Sequence, residues 1–144
     1  SKNIICTIGD GSMQMNIQEL ATISHFSFPV KIFVINNNGY GLIKQTQDTW
    51  LNSRRVGVDS GSDLAMPDIV KVANAYGIKT VEINNHNELG AKLNEILKSK
   101  VPILCDLKVD EKQKVIPKLE FGRSIHDLSP RLSKEELNSN TIND

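Results

Sequence analysis

The chain has 144 residues, 39% of them hydrophobic, and its 17 basic residues balance 17 acidic ones for a formal net charge of zero. That length suits a domain with its own core, the apolar fraction argues against disorder, and the even charge argues against nucleic acid as a partner. No apolar run approaches the roughly 18–20 residues of a membrane span, and the N-terminus lacks a charged-then-apolar leader, so the sequence predicts a soluble, cytoplasmic protein without a membrane partner.

Residues 3–8, NIICTI, form a short β-branched run ended by a glycine turn, which predicts a strand buried on both faces. Asn16 then reads as an N-cap with Glu19 in the capping-box position, opening a helix over 17–25. Pro29 stops it, and VKIFVI, 30–35, predicts a second buried strand, so that the pair makes a right-handed βαβ unit with parallel strands. Residues 44–66 are polar, carry Gly57 and Gly61, and read as a looser connection. Pro67 suits the first turn of a helix with Ile69, Val70, Ala73 and Tyr76 on its apolar face and Gly77 as its stop. A strand follows at 78–83. Asn85 and Glu88 then start a helix whose Leu89, Leu93, Ile96 and Leu97 share a face, and 101–109 closes the series as a strand. Strands alternating with helices predict a three-layer α/β fold with a mostly parallel sheet over residues 1–110. Residues 111–144 read as a charged, proline-punctuated tail packing on that domain or on a partner subunit, with one short helix capped at Ser133. Cys6 and Cys105 lie in apolar strands and are expected to be buried reduced thiols.

Ligands of open parallel sheets bind beyond the carboxyl ends of the strands. Two segments fall there, Gly9-Asp10-Gly11-Ser12 and Asn36-Asn37-Asn38-Gly39-Tyr40-Gly41, and the βαβ connection predicts that they face one another. The first is not a dinucleotide fingerprint, because position 14 is Gln, and it lacks the P-loop's Gly-Lys-Ser/Thr ending. A carboxylate between two glycines repels phosphate unless a cation lies between them. Magnesium takes a few oxygens from protein and others from phosphate and water. Asp10 offers one oxygen, the asparagine cluster another, and a main-chain carbonyl in the Gly39 turn a third.

GDGS followed by NN at the end of the next strand, 27 positions from Asp10 to Asn37, resembles the signature of thiamine-diphosphate enzymes. GDGSMQMNIQELATI and MPDIVKVANAYGIKTVEI are similar to the C-terminal, diphosphate-binding domain of acetolactate-synthase-like enzymes, and PKLEFGRSIHDLSPRL to a bacterial subgroup of them. The resemblance implies that Asp10, the Asn37 side chain and the Gly39 main-chain oxygen bind Mg2+. It further implies that Gly11, Ser12, Gly39, Tyr40 and Gly41 form the cofactor cradle, the diphosphate being held through backbone N–H groups and the Ser12 hydroxyl. The activity implied is that of a 2-oxoacid decarboxylase or carboligase, acting on a substrate such as pyruvate in a homo-oligomer.

The same resemblance implies a pyrimidine-binding domain, on the same or a partner chain, that supplies a glutamate to the cofactor, and 144 residues leave no room for it. The sequence therefore reads as a C-terminal piece without turnover of its own, and any FAD of the full enzyme belongs to other domains. Aligned from Asn37, the position of the acceptor-facing tryptophan of acetohydroxyacid synthases is Thr46, with Trp50 four residues later, so the resemblance stops short of that biosynthetic role. A separate-chain subunit of another thiamine-diphosphate decarboxylase and a non-catalytic binding module are the alternatives. No residue is expected to be catalytic: His25, His86 and His126 lie at a helix end or in polar connections. Lys44, Gln45, Arg54 and Arg55 read as solvated loop residues and Met13 and Met15 as packing.

Overall fold

Four apolar runs pair into one parallel sheet in the computed structural model, which describes residues 4–141. The strands are β1 (Ile4–Gly9), β2 (Val30–Asn36), β3 (Lys79–Ile83) and β4 (Ile103–Lys108), in the order β1-β2-β4-β3. Cys6 pairs with Ile32, Ile32 with Leu104, and Thr80 with Leu104, so the carboxyl ends of the strands share one edge of the sheet.

The pleat divides the strand residues between two cores. Ile32, Val34 and Leu104 join Met13 and Leu20 from helices α1 (Asp10–Met15) and α2 (Glu19–His25), and Ile69 and Ala73 from α4 (Ile69–Ala75). Phe33, Ile83, Ile103 and Cys105 form the other core with Ile96, Leu89 and Leu93 of α5 (His86–Lys98). Helices on both faces make the three-layer α/β arrangement expected. Gly77 takes the left-handed φ of +74° and ends α4 with Ile78 N–H donating to Ala73 O at 3.0 Å. Asn85 caps α5 by accepting from Asn87 and Glu88 N–H.

Several expectations are corrected. Gly11 and Ser12 belong to helix α1 rather than an open turn, and Asn16 is the C-cap of α1, its N–H donating to Met13 O, so α2 starts only at Glu19. Pro67 precedes α4, whose N-cap is Asp68, with its carboxylate accepting from Lys71 N–H. The polar stretch begins with a helix, α3 (Gly41–Trp50), which buries no residue. Strand β1 is exposed for most of its length, because it lies at the sheet edge, and Cys6 is exposed with it while Cys105 is buried. Asn3, expected at the start of that strand, lies outside the described residues.

Contacts group the chain up to Gln113 into one compact unit and from Lys114 into a second. Within the second, Lys118 and Ser129 form an antiparallel bridge, Arg123 pairs with Glu120, and Ser133 caps α6 (Lys134–Asn140).

Candidate functional site

The two segments beyond β1 and β2 meet at Asp10. Its carboxylate is 7% exposed and accepts two main-chain hydrogen bonds, from Gly11 N–H at Oδ1 and Gly39 N–H at Oδ2, both at 2.9 Å. Burial pushes the Asp10 carboxyl above its ordinary value, while the Gly39 and Gly11 N–H groups pull it down.

The three asparagines have separate tasks. Asn36 donates to the buried Asp106 carboxylate at 2.9 Å, and Asp106 also pairs with Lys108 at 2.6 Å. Asn38 takes the left-handed φ of +58° and donates to Glu111 Oε1 at 3.0 Å. Asn37 turns one amide atom toward two acceptors, 3.2 Å from Asp10 Oδ1 and 2.8 Å from the Gly39 carbonyl oxygen. With nitrogen there, the amide donates to both; with oxygen there, it faces two other oxygens, an arrangement that a cation satisfies. An octahedral magnesium with bonds of about 2.1 Å separates neighbouring ligand oxygens by about 3.0 Å, which matches this spacing. The residues present therefore fit a hard divalent cation. Among the described residues no three His, Cys, Asp or Glu side chains cluster as a metal site, so the donor set is one carboxylate, one amide and one carbonyl.

Glycine allows close approach at the start of α1 and in the turn after β2. An added Cβ at Gly11 would stand 2.5 Å from Tyr40 Cε1, and one at Gly39 would overlap the Val58 carbonyl oxygen. The residues expected to hold diphosphate divide accordingly. Gly11 N–H is engaged by Asp10 and Tyr40 N–H by Val58 O at 2.9 Å, so their amides are not the open donors the resemblance implied. Ser12 is exposed, and Gly41 opens α3, where N–H groups precede the helical ladder.

A cleft of ≈ 610 Å³ opens at the strand ends beside Asp10, lined among others by Gln14, Asn37, Pro67, Glu82 and Lys108. Lys44 does not reach it as a free cation: it pairs with Asp59 at 3.0 Å and donates to Glu111 O at 3.4 Å. Arg55 is exposed as expected, and it is also a two-toothed partner of Asp48, at 2.8 and 2.9 Å, and meets Asp59. Met13 is buried in the core as expected, whereas Met15 is 67% exposed. Sequence reasoning missed the Val58–Ser62 segment that backs the Gly39 turn; nothing in its composition signals that role.

A parallel α/β sheet with Asp10 and the Asn37–Gly39 turn meeting beside a cleft at its carboxyl edge places a binding site where ligands of open parallel sheets bind. The profile described as "Thiamine pyrophosphate enzyme, C-terminal TPP binding domain" matches residues 1–107. The acetolactate synthase large subunit of Haemophilus influenzae is 36% identical over 94% of this chain and 23% of its own length. That of Cyanidium caldarium is 36% identical over 84% of this chain and 20% of its own, and the mitochondrial acetolactate synthase of Schizosaccharomyces pombe is 35% identical over 87% and 18%. The fold resembles the Rhodococcus jostii RHA1 thiamine diphosphate-dependent 4-hydroxybenzoylformate decarboxylase, with a TM-score of 0.68, 24% identity, and coverage of 79% of this chain and 21% of that one. The chain belongs to the thiamine pyrophosphate enzymes and carries their C-terminal TPP-binding domain, of the acetolactate-synthase-like kind. It spans about a fifth of the length of these relatives. No helix among the described residues is long and apolar enough to cross a membrane.

Proposed function

We propose that this domain binds thiamine diphosphate through Mg2+ and is the diphosphate-holding half of a 2-oxoacid decarboxylase or carboligase resembling acetolactate synthase. The observation that carries the reading is that one Asn37 amide atom lies 3.2 Å from Asp10 Oδ1 and 2.8 Å from the Gly39 carbonyl oxygen, distances a pair of magnesium ligands can take. Asp10 supplies the charge that draws a divalent cation, and Asn37 and Gly39 supply neutral oxygens. In this reading the Ser12 hydroxyl and the Gly41 amide donate to a diphosphate oxygen, supported by the exposure of Ser12 and the position of Gly41 at the start of α3. When bound, the cofactor supplies the electron sink for loss of carbon dioxide from a 2-oxoacid such as pyruvate. The residues of this chain hold and orient; a pyrimidine-binding domain, on the same or a partner chain in a homo-oligomer, would complete the site. The setting read from the sequence is cytoplasmic.

Titration calorimetry with thiamine diphosphate, with and without magnesium, on the wild-type chain and an Asp10→Ala variant tests the proposal. Heat that requires magnesium and disappears in the variant supports it. Equal binding by folded variant and wild type, or binding indifferent to magnesium, overturns the assigned site.

A further inference from the structure

The Gly39 carbonyl is a weak, neutral donor, and its usefulness to a cation depends on where it points. Gly39 C=O and Tyr40 N–H belong to one peptide group, planar and trans, so they point in opposite directions. Tyr40 N–H donates to Val58 O at 2.9 Å, and the same peptide's carbonyl is therefore aimed away from Val58, toward Asn37. The approach is so close that only glycine fits at position 39.

Val58 is itself held by one hydroxyl. Ser62 Oγ accepts from Val58 N–H and Asp59 N–H, both at 3.0 Å, and donates to Asp59 Oδ1 at 2.8 Å, so its one proton and both lone pairs are used. Val58, Asp59 and Ser62 are buried. The other Asp59 oxygen meets Lys44 of α3 at 3.0 Å and Arg55 at 3.3 Å, which ties this turn to the helix that follows Tyr40.

Resting on the cation reading above, we propose that Ser62 and Asp59 are positioning residues that aim the Gly39 carbonyl at the divalent cation by fixing the Val58 carbonyl behind it. They touch neither cation nor cofactor. Their effect passes through one rigid peptide plane, in the manner of outer-sphere partners whose loss typically lowers metal affinity about 10–100-fold.

The test uses Mn2+ as probe on the full chain, reading affinity by paramagnetic resonance and the number of metal-bound waters by proton relaxation. Ser62→Ala is expected to weaken Mn2+ about tenfold and to raise the water count by about one as the carbonyl leaves the ligand set, with Ser62→Thr restoring both. Asp59→Asn, with thermal melting alongside, carries the same test should Ser62→Ala not fold. Unchanged Mn2+ affinity and water count in a variant that merely melts earlier makes the turn a structural element only and overturns the proposal. Failure of the cation reading looks different: wild type and Asp10→Ala then bind Mn2+ alike, and the proposal falls with it.

Discussion

Three glycines surround the Asp10 carboxylate, and the structure ranks what an alanine does at each. At Gly9 the backbone has φ −75°, ψ 154°, and nothing lies within 4 Å of an added Cβ. Gly9→Ala meets no clash and removes unfolded-state freedom, so it should be neutral or stabilise by about 0.4–1 kcal/mol. At Gly11 the added carbon stands 2.5 Å and 2.6 Å from Tyr40 Cε1 and Cδ1. The ring is a side chain and can swing aside, which at off-rotamer cost plus lost packing gives roughly 1–2 kcal/mol. At Gly39 the obstacle is backbone: the Val58 carbonyl oxygen is overlapped, Val58 C lies at 3.3 Å and Asp59 Cα at 3.5 Å. Relief requires the turn to retreat, which breaks Tyr40 N–H to Val58 O and loosens Gly39 N–H to Asp10, each 2.9 Å. Two buried hydrogen bonds lost or strained cost about 2–4 kcal/mol, and at about 3–4 °C per kcal/mol for a chain of this length that is roughly 6–16 °C in Tm. Denaturant titration and thermal melting of the three variants provide the assay. The reasoning is refuted if Gly9→Ala is as damaging as Gly39→Ala, or if Gly39→Ala melts with the wild type.

Three other outcomes follow from named contacts. Cys6 is exposed, whereas burial and the neighbouring Asp106 charge push the Cys105 thiol up to about 11, so a thiol reagent at pH 8 should modify one cysteine in the folded chain and the second only in denaturant. Lys92, 2.7 Å from Glu88, and the Asn84 N–H hold the Glu88 carboxyl below its ordinary value. Its stabilising contribution is therefore present above the unfolded carboxyl pKa of about 4.3 and lost as pH falls through the lower folded value; melting of wild type and Glu88→Gln from pH 7 to 3 should show their gap closing only at the acid end, and a constant gap contradicts the pairing. Strand β1 is an uncharged sheet edge with Ile4 and Ile5 more than half exposed, so this chain should self-associate with rising concentration in sedimentation, and a monomer throughout contradicts that.

The strands were legible because each is a compact apolar, β-branched run bounded by punctuation. Helix α5 was legible because its cap and its apolar stripe agree. Helix α3 was not, and its contacts explain why. Leu42, Ile43 and Trp50 are exposed, so no buried stripe marks it. It is held instead by polar ties: Lys44 to Asp59, Asp48 to Arg55, and Gln47 to both main-chain groups of Val56. Periodicity reads burial, and a helix fixed by charge and amide contacts carries no such signal. Strand β1 shows the converse: its composition is that of a covered strand, but exposure depends on its place in the sheet, which composition does not encode. Turn chemistry accounted for Asn38, and only the facing Asp10 distinguished Asn37 from its neighbours.

An acid between two glycines first looked out of place at a strand end suited to anions. The geometry gives it a structural task that reinforces the proposed one. Asp10 joins the start of α1 to the turn after β2 by accepting Gly11 and Gly39 N–H, so the same carboxylate proposed to draw a cation also sets the distance between the two segments. Its charge is raised in energy by burial and lowered by those peptide dipoles; a divalent ion adds a third effect in the second direction. An amide cannot replace it. Asn at position 10 offers one acceptor and one donor, and the donor would face a peptide N–H that already donates, so the substitution breaks the junction between the turns as well as removing the charge. The carboxylate is thus required by the fold of the two loops before any ligand arrives. The glycines on either side of the junction follow from the same closeness, Gly11 because the Tyr40 ring lies over it and Gly39 because the Val58 carbonyl backs it.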